Sequence, residues 1–206
     1  MAAAPRFASD IAFSPTVKVL QDRKGSRSAY ARMEQGRGWK TDVTPELQAW
    51  LQHLNSFYLA TANAQGQPYI QHRGGPVGFL KVLDARTLAF ADFTGNRQYI
   101  SSGNMAENPQ SFLFTIDYAQ RRRIKLWGRA RVVADDADLL QRLADPGYDA
   151  QPEQAVVFEL LAWDVNCPQH IPQKFEAAEV EHALQQRDAR IQELEQEISL
   201  LRATYR

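Results

Sequence analysis

The sequence lacks features that several common functions need. It holds one cysteine, Cys167, and its 24 Lys and Arg residues balance 24 Asp and Glu residues, so the net charge is zero. One cysteine excludes an intramolecular disulfide framework and any zinc or iron–sulfur site built from several cysteines. A dedicated nucleic-acid-binding protein usually carries a basic excess, and a membrane span needs roughly eighteen apolar residues in a row. We therefore expect a cytoplasmic protein whose partners include no nucleic acid and no membrane.

The histidines also lack the spacing of a metal site. His53, His72, His170 and His182 form no HExxH motif and no i,i+4 pair, so we expect no metal ion. What remains is an ordinary globular composition, 44% hydrophobic and 23% charged over 206 residues. This composition and length predict one domain with an appendage, or two very small domains.

Three segments differ in pattern and give the expected domain organisation. Residues 1–43 are a basic arm with short predicted helices, one of them over 26–35. Residues 44–174 begin with a predicted helix start at Thr44–Pro45 and continue with short β-like runs. The predicted strands are 56–62, 69–73, 77–83, 87–91, 111–118, 124–133 and 155–165, with helical interruptions near 97–107 and 136–144. Many short strands joined by tight turns are typical of a β-barrel or sandwich.

Residues 175–206 predict one long helix, because this segment contains no Gly or Pro. Its apolar residues repeat every seven positions in two series. The series at position a is Leu184, Ile191, Ile198 and Tyr205, and the series at position d is Val180, Arg187, Leu194 and Leu201. Ile at position a with Leu at position d favours a two-stranded parallel coiled coil. The same pattern also fits a helix that lies on its own domain.

Two clusters of hydrogen-bond donors are candidate anion sites. In the first, Gly74 and Gly75 let the backbone approach a ligand closely, and Arg73 can contact a phosphate through two N–H groups. In the second, Asn96 and Arg97 open the predicted helix near 97–107, whose first backbone N–H groups carry the positive end of the helix dipole. Each cluster also has a purely structural interpretation, a turn with a surface arginine and a capped helix.

Two further segments carry chemistry. In the strand 124–132, Lys125, Trp127 and Arg129 share one face, which suits a planar anionic ligand or a subunit interface. The segment 163–173 is held extended by two prolines. Cys167 with His170 is a weak candidate for a nucleophile and base, because the cysteine is followed by a proline and no helix N-terminus lies there to activate the thiol. A contact of His170 with a ligand or cofactor is the preferred interpretation.

The order of these motifs resembles the pyridoxamine 5′-phosphate oxidase-like family of FMN-binding split β-barrels. The matching segments are 58–61, 71–76, 79–84, 95–98, 104–109 and 128–132. The segment 167–172 is similar to that of the flavin-nucleotide-binding branch. The chain departs from the vitamin B6 oxidase itself, because the C-terminal substrate-binding Arg-Leu pattern of that enzyme is absent. The fold class that the resemblance implies is mainly β (β plus α), a split β-barrel with peripheral helices and a C-terminal coiled-coil-like helix.

The resemblance also implies a homodimer with FMN at the subunit interface, bound by residues 44–174. Arg73 would hold the phosphate, with Asn96, Arg97, Gln98, Ser101 and Asn104 along the phosphate and ribityl chain. The backbone around His72, Gly74 and Gly75 would pass near the isoalloxazine ring. The candidates from the partner subunit are Lys125, Trp127, Arg129, Gln169 and His170.

The function implied is an FMN-binding flavoprotein that acts as an oxidoreductase on an unidentified small-molecule substrate or electron donor. The flavin would carry the hydride or the electrons, and the protein would supply position and electrostatics. The sequence assigns no catalytic acid or base. The alternative is a non-catalytic flavin-binding or sensing protein that recruits a partner through its C-terminal coil.

Overall fold

The computed structural model describes residues 6–204, which divide into two compact units. Among the described residues, the first unit combines 6–117 with Arg123–Cys167, and the second combines Tyr118–Arg122 with 168–204. A short 3-10 helix occupies Ala8–Ile11. The helices are α1 Pro15–Arg23, α2 Arg27–Gln35, α3 Pro45–Gln52, α4 Ile100–Glu107, α5 Ala137–Leu143 and α6 Ala177–Thr204. The strands are β1 Ser56–Ala62, β2 Pro68–Gly74, β3 Lys81–Val82, β4 Thr87–Phe93, β5 Gln110–Asp117, β6 Arg122–Val133 and β7 Pro152–Val165.

The strands that the structure describes form one antiparallel sheet of seven in the order β2-β1-β5-β6-β7-β4-β3. This architecture confirms the split β-barrel with peripheral helices and a C-terminal helix. The alternation predicted for β6 is confirmed, because Ile124, Leu126 and Ala130 are buried while Arg129 and Arg131 are exposed. Residues two apart in a strand share a face, so one side of β6 enters the core.

Helix α3 closes the core, as the predicted helix start and apolar face indicate. The hydroxyl of Thr44 accepts a hydrogen bond from the backbone N–H of Leu47, which caps the helix. The apolar face buries Leu47, Trp50, Leu51 and Leu54. The indole N–H of Trp50 donates to the hydroxyl of Thr115 at 2.9 Å, and that hydroxyl donates to the carbonyl of Ile124. These two hydrogen bonds pair the buried indole of α3 and the buried hydroxyl of β5, and they join both elements to β6.

Two sequence predictions were wrong in extent. The strand predicted over 77–83 is limited to Lys81–Val82. Gly78 adopts a positive φ of 76°, and Phe79 and Leu80 are buried from a loop, which explains why an apolar run resembled a strand. The helix predicted near 97–107 begins only at Ile100. Arg97 and Tyr99 have φ angles of 58° and 53°, a left-handed conformation that an α-helix excludes.

A search of the described residues for membrane spans found no helix of sufficient length and apolar character. The long helix α6 carries charged residues throughout, among them Glu179 near its start and Arg202 near its end. None of its described residues is buried within the single chain.

Candidate functional site

One cavity of about 210 Å³ lies where β2, β4 and β7 meet the loop that leads into α4. Its walls include five residues that the sequence singled out, Arg73, Asn96, Arg97, Gln98 and Ser101. Alternation along β2 puts Tyr69, Gln71 and Arg73 on the cavity side, while Ile70 and His72 point to the other side. The two donor clusters of the sequence, which are separated by β4, therefore line one cavity.

Arg73 is held by an acidic neighbour that the sequence analysis did not name as a site residue. Its guanidinium donates to one carboxylate oxygen of Asp92. The other oxygen of Asp92 accepts from the Gln154 amide at 2.9 Å, and the same amide donates to the Ser102 hydroxyl at 3.2 Å. Asp92 and Gln154 are direct cross-strand partners of β4 and β7, so strand register creates this network. No local sequence signal could have found Gln154.

Two buried donors at the cavity have no partner of their own. Within residues 6–204, neither the Nε of Arg73 nor the hydroxyl of Ser101 makes a hydrogen bond. Ser101 is 4% exposed, and it lies in the first turn of α4, where backbone N–H groups lack helical acceptors. Buried polar groups are nearly always paired. A ligand with several acceptor oxygens would satisfy both donors.

The loop before α4 is fastened at the edge of the cavity. The hydroxyl of Tyr99 donates to a carboxylate oxygen of Glu153 at 2.6 Å. This hydrogen bond raises the pKa of Tyr99 above its ordinary value, with the negative charge of Glu153 adding to the effect. The shift extends to higher pH the range over which the Tyr99 hydroxyl keeps its proton and donates this hydrogen bond. Residues in the left-handed region persist only where their surroundings fix them, and this contact supplies one such restraint.

These donors fit a phosphate. Two arginines, the start of an eight-residue helix and an unpaired hydroxyl surround one concave space, a donor set suited to an anion with three acceptor oxygens. The volume is smaller than the roughly 300–1,000 Å³ of pockets that enclose a whole ligand. A single chain therefore encloses only part of a molecule the size of FMN.

Other predicted residues lie outside the cavity. Asn104 is buried and donates to the Thr61 hydroxyl at 3.0 Å, which fixes α4 against β1. The ring of His72 contacts Tyr58 on the other face of β2, with centroids 5.5 Å apart. Gly74 ends β2 opposite Ser56. Gly75 donates its N–H to the Asn55 carbonyl, and a Cβ there would lie 2.7 Å from the Phe79 ring. The lack of a side chain at Gly75 therefore makes room for the Phe79 ring in the core, in addition to the predicted close approach of the backbone to a ligand.

The outward face of β6 carries Lys125, Trp127 and Arg129, as predicted. The ring of Trp127 is already covered within the chain, because Trp39 of the N-terminal arm stacks on it at 4.5 Å and 18°. The ammonium of Lys125 lies 5.1 Å from the Trp127 ring and 3.0 Å from the Asp164 carboxylate. Nothing local to β6 predicted Trp39, which comes from a distant part of the sequence.

The remaining candidates, Gln169 and His170, belong to the second unit and are both exposed. His170 has a positive φ of 61°. Cys167 is an exposed free cysteine at the end of the first unit. Among residues 6–204, no group of three or more His, Cys, Asp or Glu residues is arranged to hold a metal ion.

Three solved structures illustrate the likeness of this chain to known proteins. A protein from Lactobacillus delbrueckii, named as a putative pyridoxamine 5′-phosphate oxidase, is 24% identical, covers 61% of this chain and 95% of its own, and has a TM-score of 0.46. An FMN-binding protein from Syntrophomonas wolfei is 14% identical, with 71% and 97% covered and a TM-score of 0.45. The heme storage protein HutZ from Vibrio cholerae is 18% identical, with 60% and 94% covered and a TM-score of 0.43.

The sequence comparisons give the family directly. A search of curated proteins found no match. The profile of the family described as pyridoxamine 5′-phosphate oxidase matches residues 43–167, which include all seven described strands. This match covers more than half of the chain and confirms the resemblance inferred from the motif order. The chain belongs to the pyridoxamine 5′-phosphate oxidase family.

Proposed function

We propose that this protein binds FMN and is a flavin-dependent oxidoreductase acting on a small molecule. The observation that carries the proposal is the pair of buried donors without partners, the Nε of Arg73 and the hydroxyl of Ser101, in the wall of one cavity. A phosphate monoester carries close to two negative charges at neutral pH and three strong acceptor oxygens. It would neutralise the arginines and satisfy both donors.

Each wall of the cavity has a distinct role in this proposal. Arg73 and Ser101 bind the phosphate, together with Arg97 and the first N–H groups of α4. Asn96 and Gln98 lie beside them in the loop and are candidates for the ribityl hydroxyls. Asp92 holds the guanidinium of Arg73 in place. The bound flavin would supply the hydride or electron transfer.

The expected homodimer is supported by an apolar surface on the sheet. On the outward face of β1, Tyr58 lies opposite Phe114, and Ala60 lies between Phe112 and Ile70. Ile70 is 60% exposed in the single chain. A second copy packed near this face would cover the apolar side chains and could complete the small cavity. The candidate FMN-binding residues that a second copy would contribute remain Lys125, Trp127, Arg129, Gln169 and His170. The ring face of Trp127 becomes available to a ligand only if Trp39 moves away from it.

FMN binding itself is tested by the spectrum of the purified protein and by titration of ligand-free protein with FMN, riboflavin and heme. We expect FMN to bind much more tightly than riboflavin, because riboflavin lacks the phosphate. Equal affinity for the two flavins would contradict the phosphate role. Binding of heme with no uptake of FMN would overturn the proposal in favour of the ligand class named for the Vibrio cholerae protein.

Replacing Ser101 by alanine should have opposite effects on binding and on stability. We expect FMN affinity to fall by about 1 kcal/mol, because a hydrogen bond to the phosphate is lost. The ligand-free protein should be equally stable or more stable, because the hydroxyl removed has no partner there. Calorimetric titration and urea unfolding measure the two quantities. As a control, Ser102→Ala removes a hydroxyl that is already bonded to Gln154, so it should destabilise the ligand-free protein. Destabilisation by Ser101→Ala with unchanged FMN affinity would refute the role of Ser101.

A second candidate function is a non-catalytic flavin-binding or sensing protein that recruits a partner. The observation in its favour is the exposed apolar surface of α6. We propose a cytoplasmic location, where NADH and NADPH are available as electron donors. Mixing the FMN-loaded protein with either donor under air-free conditions tests for a reductase. Bleaching of the flavin supports a reductase, whereas an unbleached flavin with both donors leaves an oxidase and the non-catalytic role open.

A further inference from the structure

Helix α6 carries an apolar stripe whose described side chains are exposed. Six side chains at heptad core positions are each between 40% and 51% exposed: Val180, Leu184, Ile191, Leu194, Ile198 and Leu201. They recur at alternating intervals of three and four residues along a helix of 28 residues, apart from one charged position. A stripe of this length costs free energy while it faces water, so it indicates a partner.

The residue types along the stripe specify the kind of partner. Ile191 and Ile198 occupy position a, and Leu194 and Leu201 occupy position d. β-Branched residues at a with leucine at d favour two parallel strands over larger assemblies. We propose that α6 pairs in parallel and in register with α6 of a second copy of this chain. This proposal is independent of flavin binding, because no residue of the cavity takes part.

Charges beside the stripe complement those of an identical helix in this arrangement. In a parallel pair, position g of one helix lies near position e of the next heptad on the other helix. Arg190 then meets the opposite charge of Glu195, and Glu197 meets that of Arg202, each twice by symmetry. In the single chain Arg190 pairs instead with Glu193 at 2.8 Å. Both side chains are about two-thirds exposed, so this contact is weak and gives way easily.

An antiparallel pairing of the same stripes is less favourable. In an antiparallel pair centred on Ile191 and Leu194, each residue at position a would pack against a residue at position d of the other helix. Position e of each helix would then face position e of the other. Asp188 would then lie near Glu195, which is repulsive, while Arg202 near Glu181 and Arg190 near Glu197 would attract. The parallel pair is favoured because its contacts between positions e and g within α6 include no repulsive pair.

The charged core residue Arg187 would also face an apolar layer at Ile198 in the antiparallel pair. In the parallel arrangement Arg187 shares its layer with Arg187 of the other helix, and each packs beside Asp188 of the other helix, because residue e borders the hole that receives residue d. The two aspartates offset the repulsion between the two arginines.

Disulfide trapping tests the proposal in the full chain. Cys167→Ser first removes the native thiol, and Leu201→Cys then places one thiol at position d near the helix end. In a parallel, in-register pair the two thiols are adjacent, whereas in an antiparallel pair each faces residue 184 of the other helix. We expect most chains to form a disulfide-linked dimer on mild oxidation. The control Ala203→Cys, at position f on the opposite side of α6, should remain largely unlinked.

The outcomes separate the possible occupants of the stripe. If Leu201→Cys links no more than Ala203→Cys, α6 is antiparallel, packs on its own chain or binds a different protein, and the proposal is overturned. The disulfide yields of the two cysteine variants are also compared with and without FMN, so that pairing of α6 is measured separately from flavin binding. A chain that binds no FMN but still forms the Leu201→Cys disulfide would refute the proposed function and leave the coil intact.

A charge exchange tests register independently. Arg190→Glu should lower the yield of the Leu201→Cys disulfide, because the introduced carboxylate would face Glu195 of the other helix. Adding Glu195→Arg restores the opposite charges between helices without restoring the contact of residue 190 with Glu193. Recovery in the double variant supports the parallel register. A double variant no better than the single one would show that the charges act within one helix and would overturn the pairing.

Discussion

Replacing Arg73 by alanine is expected to weaken FMN binding by about 1.5–3 kcal/mol, a roughly 10- to 150-fold rise in Kd. The guanidinium supplies charge-assisted hydrogen bonds to the phosphate, and its Nε has no partner among the described residues until a ligand provides one. The variant also leaves the largely buried Asp92 carboxylate without its cationic partner. Repulsion between that carboxylate and the phosphate adds to the loss. Fluorescence titration of ligand-free protein measures it.

Three comparisons make this prediction specific. Riboflavin should bind the wild type and Arg73→Ala with similar affinity, because it has no phosphate. Arg73→Lys should recover part of the FMN affinity, since it restores charge without the two-pronged geometry of a guanidinium. Adding Asp92→Asn to Arg73→Ala should also recover part of the FMN affinity, because it removes the uncompensated carboxylate charge. A parallel loss of FMN and riboflavin affinity would contradict phosphate binding and indicate general damage to the cavity.

Gly128→Ala is expected to destabilise the barrel by about 3 kcal/mol, at the upper end of the overpacking range. A Cβ built on Gly128 would lie 2.2 Å from the backbone carbonyl oxygen of Glu159 and 2.4 Å from the Phe158 ring. A side-chain rotamer change cannot relieve a clash with backbone, so β6 and β7 would have to move apart. Urea unfolding should show a lower midpoint with an unchanged slope.

The matched control is another glycine with open space around it. Gly103 lies inside α4, and a Cβ there would have no neighbour within 4 Å. Gly103→Ala should therefore be neutral or stabilising by about 0.5–1 kcal/mol, because alanine has the higher helix propensity. If Gly128→Ala unfolds at the wild-type midpoint, β6 and β7 do not pack as closely at this position as the structure has them.

Local patterns predicted much of the fold because they report which side of an element is buried. The alternation of β6 and the capped, amphipathic start of α3 each record their own burial in a few adjacent residues. The same logic was wrong for 77–83, where Phe79 and Leu80 are apolar because they fill the core from a loop. It also placed the start of α4 too early, because a left-handed Arg97 and Tyr99 leave no periodicity to read.

The candidate site was predictable in part. Arg73, Arg97 and Ser101 carry donor chemistry that the sequence displays, and the structure brings all three to one cavity. Their roles toward FMN remain predictions. The sequence assigned no role to Asp92, and Gln154 had no signal at all. Both enter the network only because β4 and β7 pair in a register that sets them opposite each other.

The sequence by itself determined the family, the strand content, the donor-rich segments and the seven-residue repeat of α6, because each is written in residues close together in the chain. Only the tertiary structure decided that Asp92 and Gln154 support Arg73, that the Ser101 hydroxyl is buried without a partner, and that Trp39 covers Trp127. The physical reason is that pairing, burial and stacking join residues from distant segments. These contacts depend on strand register and on the path of the N-terminal arm, and local periodicity predicts neither.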